Sequence, residues 1–292
     1  MYRPTAKSYF SGAGLMDLGM ELAGVNVVQS LEIDRQSIKT LRANFHHQII
    51  EKDITVQTVL DQPKTDTILL TFPCTKYSNA ADINGTRTGD DLFLHAFRHI
   101  ALEEPEAFVV ENVPGMRAFP VVMEAFEKIP DYYVQIFCPV DAMEWLPQKR
   151  KRLIMIGTKK RFPVAPPQNS RRVPLKDLID PVPDMEIPEY IKARITGNYR
   201  DKPIVSDPSD KNAVAPTCVA HYSKDRGTRM VKDHSHPLGM RPYTPREYAR
   251  LQGVPDSFKF PVSNAQTYKQ IGNGVAVPVA TWVGKELLKY FN

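Results

Sequence analysis

The stretch Leu69-Leu70-Thr71-Phe72-Pro73-Cys74-Thr75 runs from apolar and β-branched residues into a proline. Such a run predicts a buried strand that stops at Pro73, because proline has no amide to give to a central ladder. Cys74 then falls on a loop just past a strand end, where open α/β sheets present reactive groups. A second edge of this kind follows where Phe108-Val109-Val110 meets Glu111-Asn112-Val113, putting a carboxyl group at another strand terminus. A third is Gln148-Lys149-Arg150-Lys151-Arg152, which leads into the apolar residues 153–156. Arg150 and Arg152 alternate, so an extended chain would project both from one face. A thiol, a carboxyl group and alternating guanidinium groups suit nucleophilic attack on a base held against a phosphate backbone.

Outward from these edges, short apolar runs alternate with helical patterns. Strands are expected at 8–10, 27–32, 67–71, 107–111, 133–138 and 153–157, and helices around 15–22, 37–44, 92–103 and 121–128. This rhythm implies an α/β fold, a mostly parallel sheet with helices on both faces. The character changes near Lys159. Ten prolines between Pro163 and Pro216 speak against regular helices and central strands, so a small loop-rich lobe is expected over 159–240. Helical patterning returns at 245–252, where Pro245 suits a first helical position, and again at 277–290. The expected domains are therefore 1–158, 159–240, and a segment 241–292 that returns to the first.

Bulk properties narrow the class. At 292 residues, 42% hydrophobic and 24% charged, the chain has an ordinary globular composition. It holds no run of 18 apolar residues and no signal-peptide core, so a cytosolic, nucleoid-associated protein is expected. Its three cysteines, Cys74, Cys138 and Cys218, are scattered, which argues against a disulfide framework and against a zinc site. Residues 159–250 carry 18 Lys and Arg against 11 Asp and Glu, while the rest of the chain is slightly acidic. Basic charge gathered in one lobe suggests contact with a polyanion.

Glycines at 12 and 14, between a strand and a helix, let the backbone turn tightly and approach a ligand. Glu32 ends the next strand, where a carboxylate accepts hydrogen bonds from ribose hydroxyls. A nicotinamide or flavin dinucleotide is the alternative ligand, but position 17, where the third glycine of that fingerprint belongs, is Asp17.

Six motifs, in order, resemble those of the cytosine-C5 DNA methyltransferases: Phe10-Ser11-Gly12-Ala13-Gly14, the Pro73-Cys74 and Glu111-Asn112 edges, the Arg150/Arg152 run, Arg246-Glu247 with Arg250-Leu251-Gln252-Gly253, and Gln270-Ile271-Gly272-Asn273-Gly274. The resemblance covers residues 8–158 and 241–287. It implies a class I S-adenosylmethionine-dependent methyltransferase fold with a target-recognition lobe. It implies that Phe10, Gly12, Gly14, Glu32 and Asn273 surround S-adenosylmethionine, with Asp53 on the adenine amino group and Ile54 against the ring. Cys74 would add to cytosine C6, Glu111 would act at N3, Arg152 would bind the cytosine O2 or a phosphate, and Arg150 would position the nucleophile loop. No residue announces itself as the base that removes the C5 proton; a water near 72–78 is the expectation. Three positions depart from the family pattern: Leu15 stands where glycine is common, Phe72 where a small residue or proline is often found, and Thr75 where glutamine is usual.

The substrate base would have to leave the duplex stack. Residues 76–89, with Ser78 and Arg87, have the composition of a loop that could close over it. In the central lobe His221, Tyr222, Lys224, Arg226, Thr228 and Arg229 form a cluster suited to base edges and phosphates. Residues 217–225 resemble, weakly, the recognition lobe of methylases that modify the inner cytosine of CC(A/T)GG. Double-stranded DNA is the expected partner. A cognate restriction endonuclease would act separately, and one two-lobed chain suffices as a monomer. Two other readings stay open: a tRNA cytosine-C5 methyltransferase, and a methylase-like DNA-binding subunit without activity.

Overall fold

The protein is described from a computed structural model, which covers residues 2–59, 63–73, 92–168, 172–181, 187–199 and 203–292. The chain forms two compact units. The first comprises Met1–Asp141, Lys151–Pro167 and Val277–Asn292, and the second Ala142–Arg150 and Gln168–Ala276. Residues 241–276 thus lie in the second unit, and 277–292 in the first.

In the first unit, β1 (Thr5–Tyr9), β2 (Asn26–Glu32), β3 (Gln48–Glu51), β4 (Thr67–Leu70), β5 (Ala107–Asn112), β6 (Tyr133–Asp141) and β7 (Lys151–Thr158) form one sheet. Their order is β3-β2-β1-β4-β5-β7-β6. The five strands from β3 to β5 in that order run parallel, and β7 pairs antiparallel with both neighbours. All four residues of β4 and all six of β5 are buried, which is why they appear in the sequence as continuous apolar runs rather than alternating ones. Helices α1 (Leu15–Ala23), α2 (Arg35–Asn44), α3 (Leu92–Glu103) and α4 (Pro120–Glu127) occupy the connections. Asp34 caps α2 by accepting from the amides of Gln36 and Ser37. Strand β3 was not expected: Gln48-Ile49-Ile50-Glu51 is a short edge strand whose ends are exposed.

The last helix, α8 (Val277–Phe291), lies against α1. A Cβ on Gly19 would stand 2.3 Å from Ala280 Cβ and 2.7 Å from the Val277 carbonyl oxygen, and one on Gly284 would stand 2.6 Å from Ala23 Cβ. These glycines set how near the helix axes approach. Gly19→Ala adds helix propensity worth about 1 kcal/mol but forces overpacking worth about 2–3 kcal/mol. A net loss of about 1–2 kcal/mol is expected in urea unfolding.

The second unit carries a small sheet of β8 (Ile204–Ser206), β9 (Arg229–Lys232) and β10 (Met240–Pro242). Helix α5 (Glu189–Thr196) was not expected in a proline-rich lobe. It forms because Pro188 occupies its N-cap and the following residues contain no proline until Pro203. Ile187, Ile191 and Ile195 pack with Met230 from β9. Helix α6 (Pro245–Leu251) begins with a capping box, Thr244 accepting from the Glu247 amide while the Glu247 carboxylate accepts from the Thr244 amide. Helix α7 (Asn264–Asn273) is capped by Ser263.

Candidate active site

In the first unit the parallel strands release the candidate site residues along one edge. Phe10-Ser11-Gly12-Ala13-Gly14 follows β1, Glu32 ends β2, Asp53 and Ile54 follow β3, Thr71-Phe72-Pro73 follow β4, and Glu111 lies at the end of β5. Between β1 and β4 the strand order reverses, and a crevice outside the carboxyl ends is the usual ligand position in such sheets. Cys74, Ser78 and Arg87 lie outside the described residues.

The glycine loop is tightly built. Gly12 and Gly14 both have positive φ, at 56° and 81°, and the Gly14 amide donates to the Ser11 carbonyl at 2.9 Å. At Gly14 a Cβ would stand 2.4 Å from the Phe45 ring, so α2 and its exit fit only against glycine. Leu15, one of the departures from the family pattern, is the first residue of α1 and is buried. Glu32 accepts from the amides of Gly12 (2.7 Å), Ile33 and Asp34 (each 2.8 Å). Asp53 accepts from the Thr55 amide at 2.9 Å, and hydrogen bonds from the Thr55 amide and hydroxyl hold its carboxyl below the usual range. Arg98 of α3 donates to the Ile54 carbonyl at 2.8 Å, an anchor 44 residues away that no local pattern announces.

Glu111 and Arg152 meet. Arg152 Nε lies 3.0 Å from Glu111 Oε1, with both side chains largely buried. The register explains it: Glu111 stands opposite Ile154 across the antiparallel β5–β7 pair, so Arg152 is its diagonal neighbour on the same face. Asn112 Nδ2 donates to the Phe72 carbonyl at 3.1 Å, tying this edge to the segment that leads to Cys74.

Arg150 is engaged by backbone carbonyls. Its side chain is 1% exposed and belongs to the second unit, where it donates to the carbonyls of Cys218 (2.9 Å), Gly272 (2.9 Å) and Gly274 (2.7 Å). Gln148 accepts from the Cys218 amide and donates to the Leu251 carbonyl, while Gln252 donates to the Ile271 carbonyl. This clamp ends at Arg150, and β7 begins at Lys151. Asn273 is exposed at the end of α7 in the same unit.

Tyr222 also departs from expectation as a DNA contact. It is fully buried, stacked on Tyr248 with ring centroids 4.6 Å apart, and its hydroxyl donates to the Arg229 carbonyl at 2.6 Å. It is a core tyrosine beneath the cluster. His221 and Lys224 are exposed, and Arg226 and Arg229 are half-buried.

The sequence profile of the C-5 cytosine-specific DNA methylases matches residues 5–289. The chain belongs to this methylase family. Among curated relatives it is 30% identical over 308 residues to the type II methyltransferase M.NlaX of Neisseria lactamica, covering 95% of this chain and 94% of that protein. It is 30% identical over 318 residues to the type II methyltransferase M.HpaII of Haemophilus parainfluenzae, covering 96% and 88%. Among solved structures, the Entamoeba histolytica methyltransferase EhMeth superposes with a TM-score of 0.83 at 16% identity, covering both chains fully. The S. pombe Dnmt2 methyltransferase superposes with a TM-score of 0.81 at 17% identity, covering 99% of this chain and all of that one. At such identities the structural likeness speaks for the fold alone. The chain is a sequence-specific DNA (cytosine-5-)-methyltransferase that uses S-adenosylmethionine.

The edge residues of this methylase fit that cofactor. Nothing lies within 4 Å of where a Cβ on Gly12 would stand, so the loop leaves room at its tip. Glu32 Oε2 accepts one hydrogen bond among the described residues and has capacity for another. Asp53, with its carboxyl held below the usual range, has the chemistry to accept from an amino group, and buried Ile54 is an apolar neighbour of it in sequence. In the second unit, Arg150→Lys replaces a planar fork, whose two terminal nitrogens reach separate carbonyls, with one nitrogen whose three donors radiate from a single point. A loss of about 2–4 kcal/mol in chemical unfolding is expected.

Proposed function

We propose that Cys74, Glu111 and Arg152 act on a flipped-out cytosine of double-stranded DNA, beside a cofactor seated by Phe10, Gly12, Gly14, Glu32, Asp53 and Ile54. The observation that supports this most is the Glu111–Arg152 pair at 3.0 Å, on the strand-end edge from which the segment to Cys74 leaves.

The Cys74 thiolate forms a bond to C6 of the base. Glu111 places a proton at N3 as the ring takes up the electron pair, which turns C5 into the nucleophilic carbon of an enamine. Arg152 steadies the Glu111 carboxyl group and holds the cytosine O2 or a neighbouring phosphate. S-adenosylmethionine, when bound, supplies an electrophilic methyl group. Once C5 is methylated, its proton passes to water. The electron pair left behind re-forms the C5–C6 double bond as the C6–S bond breaks and the thiolate leaves, and N3 returns its proton to Glu111. Extruding the base costs a few kcal/mol, which contacts from Ser78 and Arg87 would offset. His221, Lys224, Arg226 and Arg229 would face the duplex. The enzyme would work in the cytoplasm, at the nucleoid, as a monomer and apart from any endonuclease of matching specificity.

The test is methyl transfer from labelled S-adenosylmethionine to unmethylated duplex DNA and, in parallel, to tRNA. Label recovered as 5-methylcytosine from DNA alone is the expected result. Label in tRNA alone would replace DNA as the substrate.

A further inference from the structure

We infer that Thr71 is a positioning residue of the cofactor seat, its hydroxyl holding Phe10 in a backbone conformation that the seat requires. The inference rests on the reading of residues 10–14 as that seat. Phe10 has φ 60°, the left-handed region that residues bearing a Cβ rarely enter. It is the first residue past β1, and the paired register of β1 with β4 ends at Tyr9 and Leu70. The positive φ turns the chain out of the ladder, so the Phe10 carbonyl needs a donor from outside it. Thr71 provides one: its Oγ1 donates to the Phe10 carbonyl at 2.9 Å, while its amide donates to the Tyr9 carbonyl at 3.4 Å. The next residue adds a second restraint, because the Phe72 ring meets the Phe10 ring edge-on at 6.3 Å. Phe72 is itself fixed, stacked on Phe126 and held at its carbonyl by Asn112.

Remove the hydroxyl and Phe10 loses the bond that compensates its strain. Its relaxation toward an extended φ would swing Ser11 and Gly12, and with them the Gly12 amide that Glu32 accepts at 2.7 Å. Thr71→Val keeps the branched shape at the strand end and deletes only the hydrogen bond. Thr71→Ser keeps the hydrogen bond and deletes the methyl group.

Calorimetric titration with S-adenosylhomocysteine tests this without any turnover. Thr71→Val is expected to weaken binding about tenfold and Thr71→Ser by less than about twofold. The decisive comparison uses Phe10→Gly, which adopts positive φ at no steric cost. In that background Thr71→Val should weaken binding by less than about twofold. Equal weakening in both backgrounds would mean that Thr71 acts through general packing, and would overturn the inference. So would unaltered binding by Thr71→Val alone. Failure of the wild-type protein to bind S-adenosylhomocysteine would instead remove the seat itself, and the inference with it.

Discussion

Cys74→Ser is expected to bind S-adenosylmethionine as the wild type does and to transfer methyl groups to duplex DNA at least about 10⁴-fold more slowly. A cysteine is a few per cent thiolate near neutral pH and intrinsically very nucleophilic, whereas a serine hydroxyl without a strong base beside it has almost no alkoxide. Single-turnover transfer measures the rate. A duplex containing 5-fluorocytosine measures the bond, because fluorine at C5 cannot leave as a proton does and the C6–S adduct persists. Wild type should run as a covalent complex on a denaturing gel, and Cys74→Ser should not. A serine variant within about tenfold of wild type would take Cys74 out of the chemistry.

Glu111→Gln is expected to lower kcat by about 10²- to 10⁴-fold, the range for removing a positioned proton donor. Glutamine keeps hydrogen-bonding groups near N3 but cannot deliver a proton. Because Arg152 lies 3.0 Å from Glu111, the two should not behave independently. The Glu111→Gln, Arg152→Met double variant should be less impaired than the product of the single effects. If Arg152 served only a phosphate, its loss would raise KM for DNA with kcat preserved, and the coupling would vanish.

How much of this was legible depends on how local the cause is. Buried strands such as β4 and β5 are apolar on both faces, and the proline after β4 marks where a ladder must stop, so the sheet edge could be read from a few residues. Glu111 and Arg152 could be named but not joined. Their contact follows from the antiparallel register of β5 with β7, which sequence spacing does not encode. Arg150 could be named as well, but not its acceptors, because the carbonyls of Cys218, Gly272 and Gly274 lie 68 to 124 residues further along the chain. Tyr222 looked like part of a polar cluster because its neighbours in sequence are polar, whereas its neighbours in space are Tyr248 and Tyr268. Arg98 and Thr71 carry no motif at all. Each acts on a backbone carbonyl far along the chain, and such bonds leave no periodic trace.

The close seat of α8 on α1, through Gly19 and Gly284, bears on the order in which the protein becomes competent during synthesis. Helix α1 grows directly out of the glycine loop, and its inner face is finished only by a helix encoded at 277–291. The whole of the second unit is translated between them. A ribosome-bound chain can therefore complete its second unit while α1 still lacks its partner, and the closing contact is among the most non-local in the first unit. Until residues 277–291 emerge, the inner face of α1 stays uncovered, and the growing chain carries that apolar surface through the whole synthesis of its second unit.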